Sequence, residues 1–131
     1  TMLAAEGIDA IELSGGILVG GKLSPSRMGI KSEEKEAYFQ DDAGSFKERV
    51  SVPLILVGGN RSFQVAERLI DEGIADYISI CRPLIREPDL INRWRSGDLK
   101  KAACVSDNMC FRPAGKGKGI YCLTEEKEKK Q

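Results

Sequence analysis

An unbroken apolar run in the stretch VPLILVGGNRS, residues 52–62, constrains the fold of this chain more than any other feature. Positions 53–57 show no alternation of apolar and polar residues, which is typical of a parallel strand buried on both faces. The run stops at Gly58 and Gly59, two residues without a side chain, and polar residues follow. The stretch therefore predicts a buried strand, and it raises the question of what its glycine-rich end accommodates.

Two further segments predict strands, and each follows a Glu-Gly-Ile or similar helix end. They are IDAIELSGG at 8–16 and ADYISICRP at 75–83. Between the second and third strands, SFQVAERLIDEG at 62–73 predicts an amphipathic helix that Ser62 caps and Gly73 ends. Strands that alternate with helices indicate parallel βαβ units. We therefore predict an α/β protein with about three βα units.

The remaining segments complete this outline. They are a helix end at 1–7, a long loop at 17–32, a helix at 33–50 weakened at Gly44, and a helix at 87–97. A loop of that length is often functional. The charged residues 124–131 predict a solvated, disordered tail.

Composition narrows the function classes. Lys and Arg total 20, as do Asp and Glu, so no net charge favours nucleic acid or an anionic membrane. The sequence has no apolar stretch long enough to span a bilayer and no histidine, so a His base or His metal ligand is excluded within these residues. The four cysteines are expected to be reduced thiols, and we expect a cytoplasmic protein with no nucleic-acid or membrane partner.

The ends of the second and third predicted strands carry a possible phosphate site. Ligands of parallel α/β proteins lie beyond the carboxyl ends of the strands. Gly58 and Gly59 permit close backbone approach, and the helix that starts after Ser62 would offer N–H groups to an anion. Arg82 would add a planar, permanently charged donor. A tight turn without a ligand would explain either motif alone, but together they favour phosphate binding.

These residues resemble a known family. The stretch VPLILVGGNRSFQVAERLIDEGIADYISICRPLIREPDLINRW looks like the closing segment of the Old Yellow Enzyme family, NADH:flavin oxidoreductases with an FMN-binding TIM barrel. IDAIELSGG and SPSRMGIKSEEKEAYF resemble the preceding strand and loop of its bacterial members. The resemblance implies a partial (β/α)8 barrel, strands six to eight, spanning residues 1–123. It also implies that the FMN phosphate is held by Gly58, Gly59, Asn60, Cys81 and Arg82, where Cys81 replaces a usual glycine.

The resemblance further implies an FMN-dependent NAD(P)H oxidoreductase of the ene-reductase type, acting on a small-molecule substrate. The family's catalytic groups would lie before Thr1, and a complete barrel needs about 250 residues. We therefore expect this chain to be a piece of a longer protein that is inactive alone and forms homo-oligomers. Two alternatives stay open, a non-catalytic phosphate- or nucleotide-binding module and a structural piece that completes its barrel with another chain.

A cysteine cluster in CVSDNMCFRPAGKGKGIYC resembles the iron–sulfur segment of larger relatives. Asp107 stands where that pattern has its second cysteine, between Cys104 and Cys110, and Cys122 keeps the last spacing. Iron–sulfur clusters normally need four thiolates, so we predict free thiols and no metal.

Overall fold

Three short parallel strands form the sheet at the centre of the protein. The computed structural model describes residues 2–17 and 19–130. The strands are β1 Ile11–Leu13, β2 Leu54–Leu56 and β3 Tyr77–Ile78, in the order β1-β2-β3. Ile11 is in register with Leu54, and Leu56 with Ile78. The predicted parallel strands are confirmed, and three strands do not close a barrel.

Seven short helices surround or follow this sheet within the described ranges. They are α1 Met2–Ala5, α2 Gln40–Lys47, α3 Phe63–Asp71, α4 Arg82–Arg86, α5 Leu90–Arg95, α6 Phe111–Ala114 and α7 Leu123–Glu128. Two 3-10 turns lie at Gly21–Leu23 and Glu33–Lys35. No helix in the described part of the chain is long and apolar enough to cross a membrane.

The main core lies between β2 and the helices α2 and α3. Leu54 and Leu56 of β2 are fully buried and belong to one cluster with Leu69 of α3. Burial of each leucine side chain contributes about 1.5–3 kcal/mol to the free energy of unfolding. Because side chains alternate along a strand, Ile55 lies on the opposite face, in register with Tyr77, which is 61% exposed. The described part of the sheet is therefore covered by helices on one face and open on the other.

The segment predicted as one helix over 33–50 divides at Ala37. This residue has a φ of +47°, a left-handed conformation that ends the first turn before α2 begins. Gly44 lies inside α2 and does not interrupt it. At this break the preceding residue, Glu36, faces the interior, and only 2% of its surface is exposed. The contacts of that carboxylate, described below, explain why the continuous helix does not form.

Two elements at strand β3 and at the chain end differ from the sequence-based expectation. Pro83, the last residue of the segment predicted as the third strand, occupies the first turn of α4, where a missing N–H has no cost. Residues 123–128 form α7 and not a disordered tail. The Sγ of Cys122 accepts a hydrogen bond from the N–H of Glu125, and Arg86 forms an ion pair with Glu128. These contacts hold the charged segment in helical form.

Candidate functional site at the strand ends

A cavity of about 190 Å³ lies beyond the carboxyl ends of β2 and β3, and we call it the strand-end cavity. Four of the five residues predicted for the phosphate site line it, namely Gly59, Asn60, Cys81 and Arg82. The other lining residues are Pro25, Ser26, Tyr38, Val57, Ser79, Ile80, Pro83, Ser106 and Phe111. The fifth predicted residue, Gly58, precedes Gly59 in the sequence and is not among the lining residues. Its carbonyl accepts a hydrogen bond from the N–H of Tyr38 at 3.0 Å.

Asn60 joins the ends of two strands and keeps one polar atom unused. Its Nδ2 donates to the carbonyl of Leu56 at 3.0 Å and to that of Ser79 at 3.1 Å. These two bonds fix the orientation of the amide. The Oδ1 is buried and accepts no hydrogen bond from the described residues. Buried polar atoms are normally paired, so this oxygen is an unused acceptor on a residue that lines the cavity.

Arg82 brings a buried positive charge to the cavity. It is 9% exposed, and its Nη1 donates to the Oδ1 of Asn108 at 2.6 Å and to the carbonyl of Arg27 at 2.9 Å. Its Nε and Nη2 make no hydrogen bond to the described residues, and Arg82 is in none of their ion pairs. Buried charges in proteins are usually paired. The site therefore has an oriented guanidinium suited to an anion.

Asn108 holds this guanidinium, and the sequence did not indicate it. Its Oδ1 also accepts from the hydroxyl of Ser26 at 3.0 Å, while its Nδ2 donates to the carbonyl of Ser26 at 2.7 Å. Asn108 has a φ of +59°, a conformation that asparagine tolerates better than most residues. It follows no strand, so the rule that ligands lie at strand ends could not find it. Its left-handed preference was the one available signal.

The two glycines that end β2 make room for this chain's own side chains. Gly58 and Gly59 have φ values of +134° and +78°, which favour glycine. A Cβ on Gly59 would lie 2.8 Å from the Cε1 of Tyr38 and would overlap the Cδ1 of Ile30. The expected close approach of a ligand is therefore not what requires glycine here. The packing of the 30–39 segment over the strand end requires it.

The start of α3 lies beside a carboxylate, which corrects the predicted role of Ser62. The Ser62 side chain does not cap the helix, because its hydroxyl donates to the Oε1 of Glu36 at 2.8 Å. The Oε2 of Glu36 accepts from the N–H groups of Arg61 and Ser62, both at 2.8 Å. A phosphate at this helix start would be repelled by the Glu36 charge. The suitable position for an anion is therefore at Arg82.

Cys81 fits its position without backbone strain. Its φ is −116°, so the replacement of a glycine by cysteine requires no left-handed conformation. The residue is exposed, and its carbonyl accepts the N–H of Leu84 at 3.0 Å in the first turn of α4.

The other three cysteines lie in the segment that follows α5. Cys104 and Cys110 are buried, Cys122 is half-buried, and all are free thiols. Burial raises the pKa of the Cys110 thiol, and the nearby Cys104 raises it further. The Cys104 Sγ accepts a hydrogen bond from the N–H of Ser106. Among residues 2–17 and 19–130, no three His, Cys, Asp or Glu side chains are grouped to hold a metal ion.

Comparison with known proteins shows which proteins this chain is similar to. No protein-family model matches the chain. It is 30% identical over 113 residues to an NADH oxidase of Thermoanaerobacter brockii, covering 82% of this chain and 16% of the relative. It is 32% identical over 92 residues to an NADH-dependent flavin oxidoreductase of Talaromyces variabilis, covering 66% and 22%. A 4,4'-dithiodibutanoate disulfide reductase of Rhodococcus erythropolis is 30% identical over 77 residues, 59% of this chain and 19% of the relative.

A solved structure is similar to this chain in fold. The chain is similar to the Old Yellow Enzyme homologue of Zymomonas mobilis, with a TM-score of 0.50 and 24% identity over 80% of this chain and 26% of that one. The architecture is thus a mixed α/β fold with a small parallel sheet, similar to part of the Old Yellow Enzyme TIM barrel. The resemblance to the NADH-dependent flavin oxidoreductases, inferred from the sequence, is confirmed. The chain spans only about a fifth of the length of the curated relatives.

Proposed function

We propose that the strand-end cavity binds the phosphate of FMN in an NAD(P)H:flavin oxidoreductase of the ene-reductase type. The observation that carries the proposal is the Arg82 guanidinium, 9% exposed and outside every ion pair of the described residues. A phosphate dianion would supply the missing charge and accept hydrogen bonds from Nε and Nη2. Gly59 and Cys81, which line the same cavity, would surround this group, and Gly58 would hold Tyr38 in the cavity wall.

The size and polarity of the cavity fit one end of the cofactor. Complete small-molecule sites usually measure about 300–1,000 Å³, whereas this cavity has about 190 Å³. It would therefore enclose the phosphate and the adjoining part of the sugar alcohol, with the flavin ring outside. The buried Oδ1 of Asn60 is an acceptor, so it would pair with a hydroxyl of the sugar alcohol and not with a phosphate oxygen.

In this proposal the chain anchors the cofactor and does not perform the chemistry itself. Bound FMN would supply hydride transfer from NADH or NADPH to a small-molecule acceptor. Arg82 would hold the anionic end, Asn108 would keep the guanidinium oriented, and Asn60 would orient the chain that leads to the ring. We assign residues 1–123 to strands six to eight of the barrel, with the groups that act on the acceptor contributed from elsewhere in a longer cytoplasmic protein. The 131 residues alone would then be inactive.

A second candidate is a phosphate- or nucleotide-binding module without catalysis. The Arg82 guanidinium would bind the ligand of such a module as well, since an arginine side chain can donate hydrogen bonds to any phosphate monoester. The two candidates differ in what is recognised beyond the phosphate. The Asn60 acceptor favours a ligand with a hydroxyl group next to its phosphate end, which suits the ribityl chain of FMN.

The test is a competition between two phosphate monoesters. The purified 131-residue chain is titrated with FMN while flavin fluorescence is followed, and then with AMP as competitor. The proposal expects saturable binding of FMN that a hundredfold excess of AMP reduces only slightly. Equal affinity for AMP would support the non-catalytic module. If FMN does not bind, or binds without any contribution from its phosphate, both candidate functions are contradicted. Consumption of NADH by the chain without further protein would contradict the assignment of an anchoring role.

A further inference from the structure

A second and larger cavity lies on the loop side of the strand ends. It measures about 380 Å³, within the size range of small-molecule sites, and we call it the basic loop cavity. The residues used below are Lys22, Arg27, Met28, Ile30, Lys35 and Tyr38, all of which line it. The proposed FMN site does not account for this cavity.

The lining carries three positive charges and no carboxylate. Lys22, Arg27 and Lys35 take part in none of the ion pairs that residues 2–17 and 19–130 form. Glu34 and Glu36 flank Lys35 in the sequence. Glu34 lines a different cavity together with Glu33 and Arg68, and Glu36 accepts hydrogen bonds from Arg61 and Ser62. Because the chain as a whole is electrically balanced, this concentration of positive charge is local. It favours an anionic ligand.

Arg27 is held in a fixed plane with hydrogen-bonding capacity to spare. Its guanidinium carbon lies 4.5 Å from the ring centre of Tyr38 and 5.1 Å from that of Phe39. Its Nε is buried and has no partner among the described residues, and its one hydrogen bond, to the carbonyl of Tyr38, is long at 3.5 Å. A planar guanidinium oriented in this way matches the two oxygens of a carboxylate.

Apolar groups lie beside these charges. Met28 is 67% exposed, Ile30 contributes to the same wall, and the Tyr38 ring is fixed by its hydroxyl, which donates to the carbonyl of Pro25 at 2.7 Å. Such a wall suits a hydrocarbon chain and has no role for a bare inorganic ion. We propose that the basic loop cavity binds an organic acid, its carboxylate on Arg27 and its apolar chain against Met28, Ile30 and Tyr38.

The position of the cavity connects the ligand with the flavin site. Tyr38 lines both cavities, and the backbone carbonyl of Arg27 accepts a hydrogen bond from Arg82. The carboxylate ligand therefore lies next to the cofactor site. We assign this ligand as the substrate, an acceptor that carries a carboxylate, and this assignment rests on the proposed function. The binding of the carboxylate itself does not depend on FMN.

The experiment uses the full 131-residue chain and butanoate as the probe. Backbone amide shifts of Gly21 and Gly29, which line the cavity, are followed by NMR during titration with butanoate, with butyramide as the uncharged control and inorganic phosphate as a second anion. We expect saturable shifts with butanoate, weaker by about tenfold in Arg27→Gln, since a charged hydrogen bond is lost. Lys35→Gln, at an exposed position where folding is not at risk, should weaken binding about twofold to fivefold.

Two matched variants make the outcome decisive. Arg49→Gln removes one exposed positive charge that does not line the cavity, and it should bind butanoate as the parent chain does. Arg82→Gln should lose the preference for FMN over riboflavin, so a failure of the FMN site is seen separately, and this variant is not used to measure butanoate binding because Arg82 donates to the carbonyl of Arg27. The proposal is overturned by equal shifts with butyramide, by equal loss in Arg49→Gln and Arg27→Gln, or by inorganic phosphate that shifts the Gly21 and Gly29 amides at lower concentrations than butanoate does.

Discussion

The carboxylate of Glu36 accepts two hydrogen bonds from Ser62, one from its N–H and one from its hydroxyl, both at 2.8 Å. Glu36 is 2% exposed and Ser62 is 1% exposed, so the pair is isolated from water. It ties the segment before α2 to the end of β2, directly beside Gly58 and Gly59. The walls of both cavities depend on this connection, because Tyr38 follows Glu36 by two residues and lines each of them.

We expect the contributions of Glu36 and Ser62 to stability to be strongly coupled. Glu36→Ala leaves buried N–H groups unpaired and should lower the free energy of unfolding by about 2–4 kcal/mol, and Ser62→Ala alone by about 1 kcal/mol. When Glu36→Ala is already present, adding Ser62→Ala should have almost no effect. Urea denaturation of the four chains measures this, with the exposed Glu33→Ala as control. An undiminished cost of Ser62→Ala would mean that the serine acts as a helix cap after all.

Gly59→Ala should be more destabilising than a glycine substitution at an open position. Both Gly59 and Gly73 have positive φ values, +78° and +69°, so alanine costs about 1–2 kcal/mol of backbone strain at each. At Gly59 the new methyl group also meets Tyr38 and Ile30, which adds about 1–3 kcal/mol, whereas nothing lies within 4 Å at Gly73. Thermal denaturation of the two variants compares the costs. Equal losses would show that Tyr38 and Ile30 move aside.

The sequence predicted the scaffold well and the site's internal contacts poorly. The apolar run at 53–57 and the periodic face of 62–73 are local signals, and β2 and α3 form where those signals lie. Gly59, Asn60, Cys81 and Arg82 meet because carboxyl ends of parallel strands share one edge of the sheet. The roles of Glu36, Tyr38 and Asn108 arise from contacts between segments distant in sequence, which no local pattern encodes. For the same reason Ser62 was misassigned as a cap, since its true partner lies 26 positions away.

Asp76 should make stability depend on pH in the acidic range. A hydrogen bond from the Lys47 ammonium at 2.6 Å and one from the N–H of Leu54 at 2.7 Å hold the pKa of the Asp76 carboxyl below its ordinary value. Because the pKa is lower in the folded state, the carboxylate contributes its full stabilisation at pH values above the pKa of the unfolded chain, about 3.9. This stabilisation is lost as the pH falls through the pKa of the folded state.

Asp76→Asn should therefore be less stable than the parent chain near neutral pH, and the difference should shrink as the solution is acidified below about pH 4. Melting temperatures at a series of pH values measure the difference, with the exposed Asp71→Asn as control. Because Asp76 is partly exposed, salt should reduce the ion-pair part of the effect. A difference that stays constant with pH would remove Asp76 from the acid response.

We expect the isolated 131-residue chain to self-associate. Within the described ranges, β1 and β3 each pair with β2 alone, so each has an edge without a strand partner. Tyr77 is 61% exposed on the uncovered face. Open edges and exposed apolar groups favour association. Light scattering at micromolar concentration should give a dimer or larger species, reduced in Tyr77→Lys. A monomer across the concentration range would show that the open face needs no cover.

The FMN preference of Arg82→Gln tests directly whether Arg82 holds the phosphate of the cofactor. Affinities for FMN and for riboflavin, which lacks the phosphate, are measured by flavin fluorescence with the parent chain, Arg82→Gln and the exposed control Arg49→Gln. If Arg82 holds the phosphate, the parent chain and Arg49→Gln bind FMN more tightly than riboflavin, and Arg82→Gln loses about 1.5–3 kcal/mol of FMN affinity while its riboflavin affinity is unchanged. An Arg82→Gln variant that still prefers FMN to the same extent would contradict the assignment of the strand-end cavity as the phosphate site.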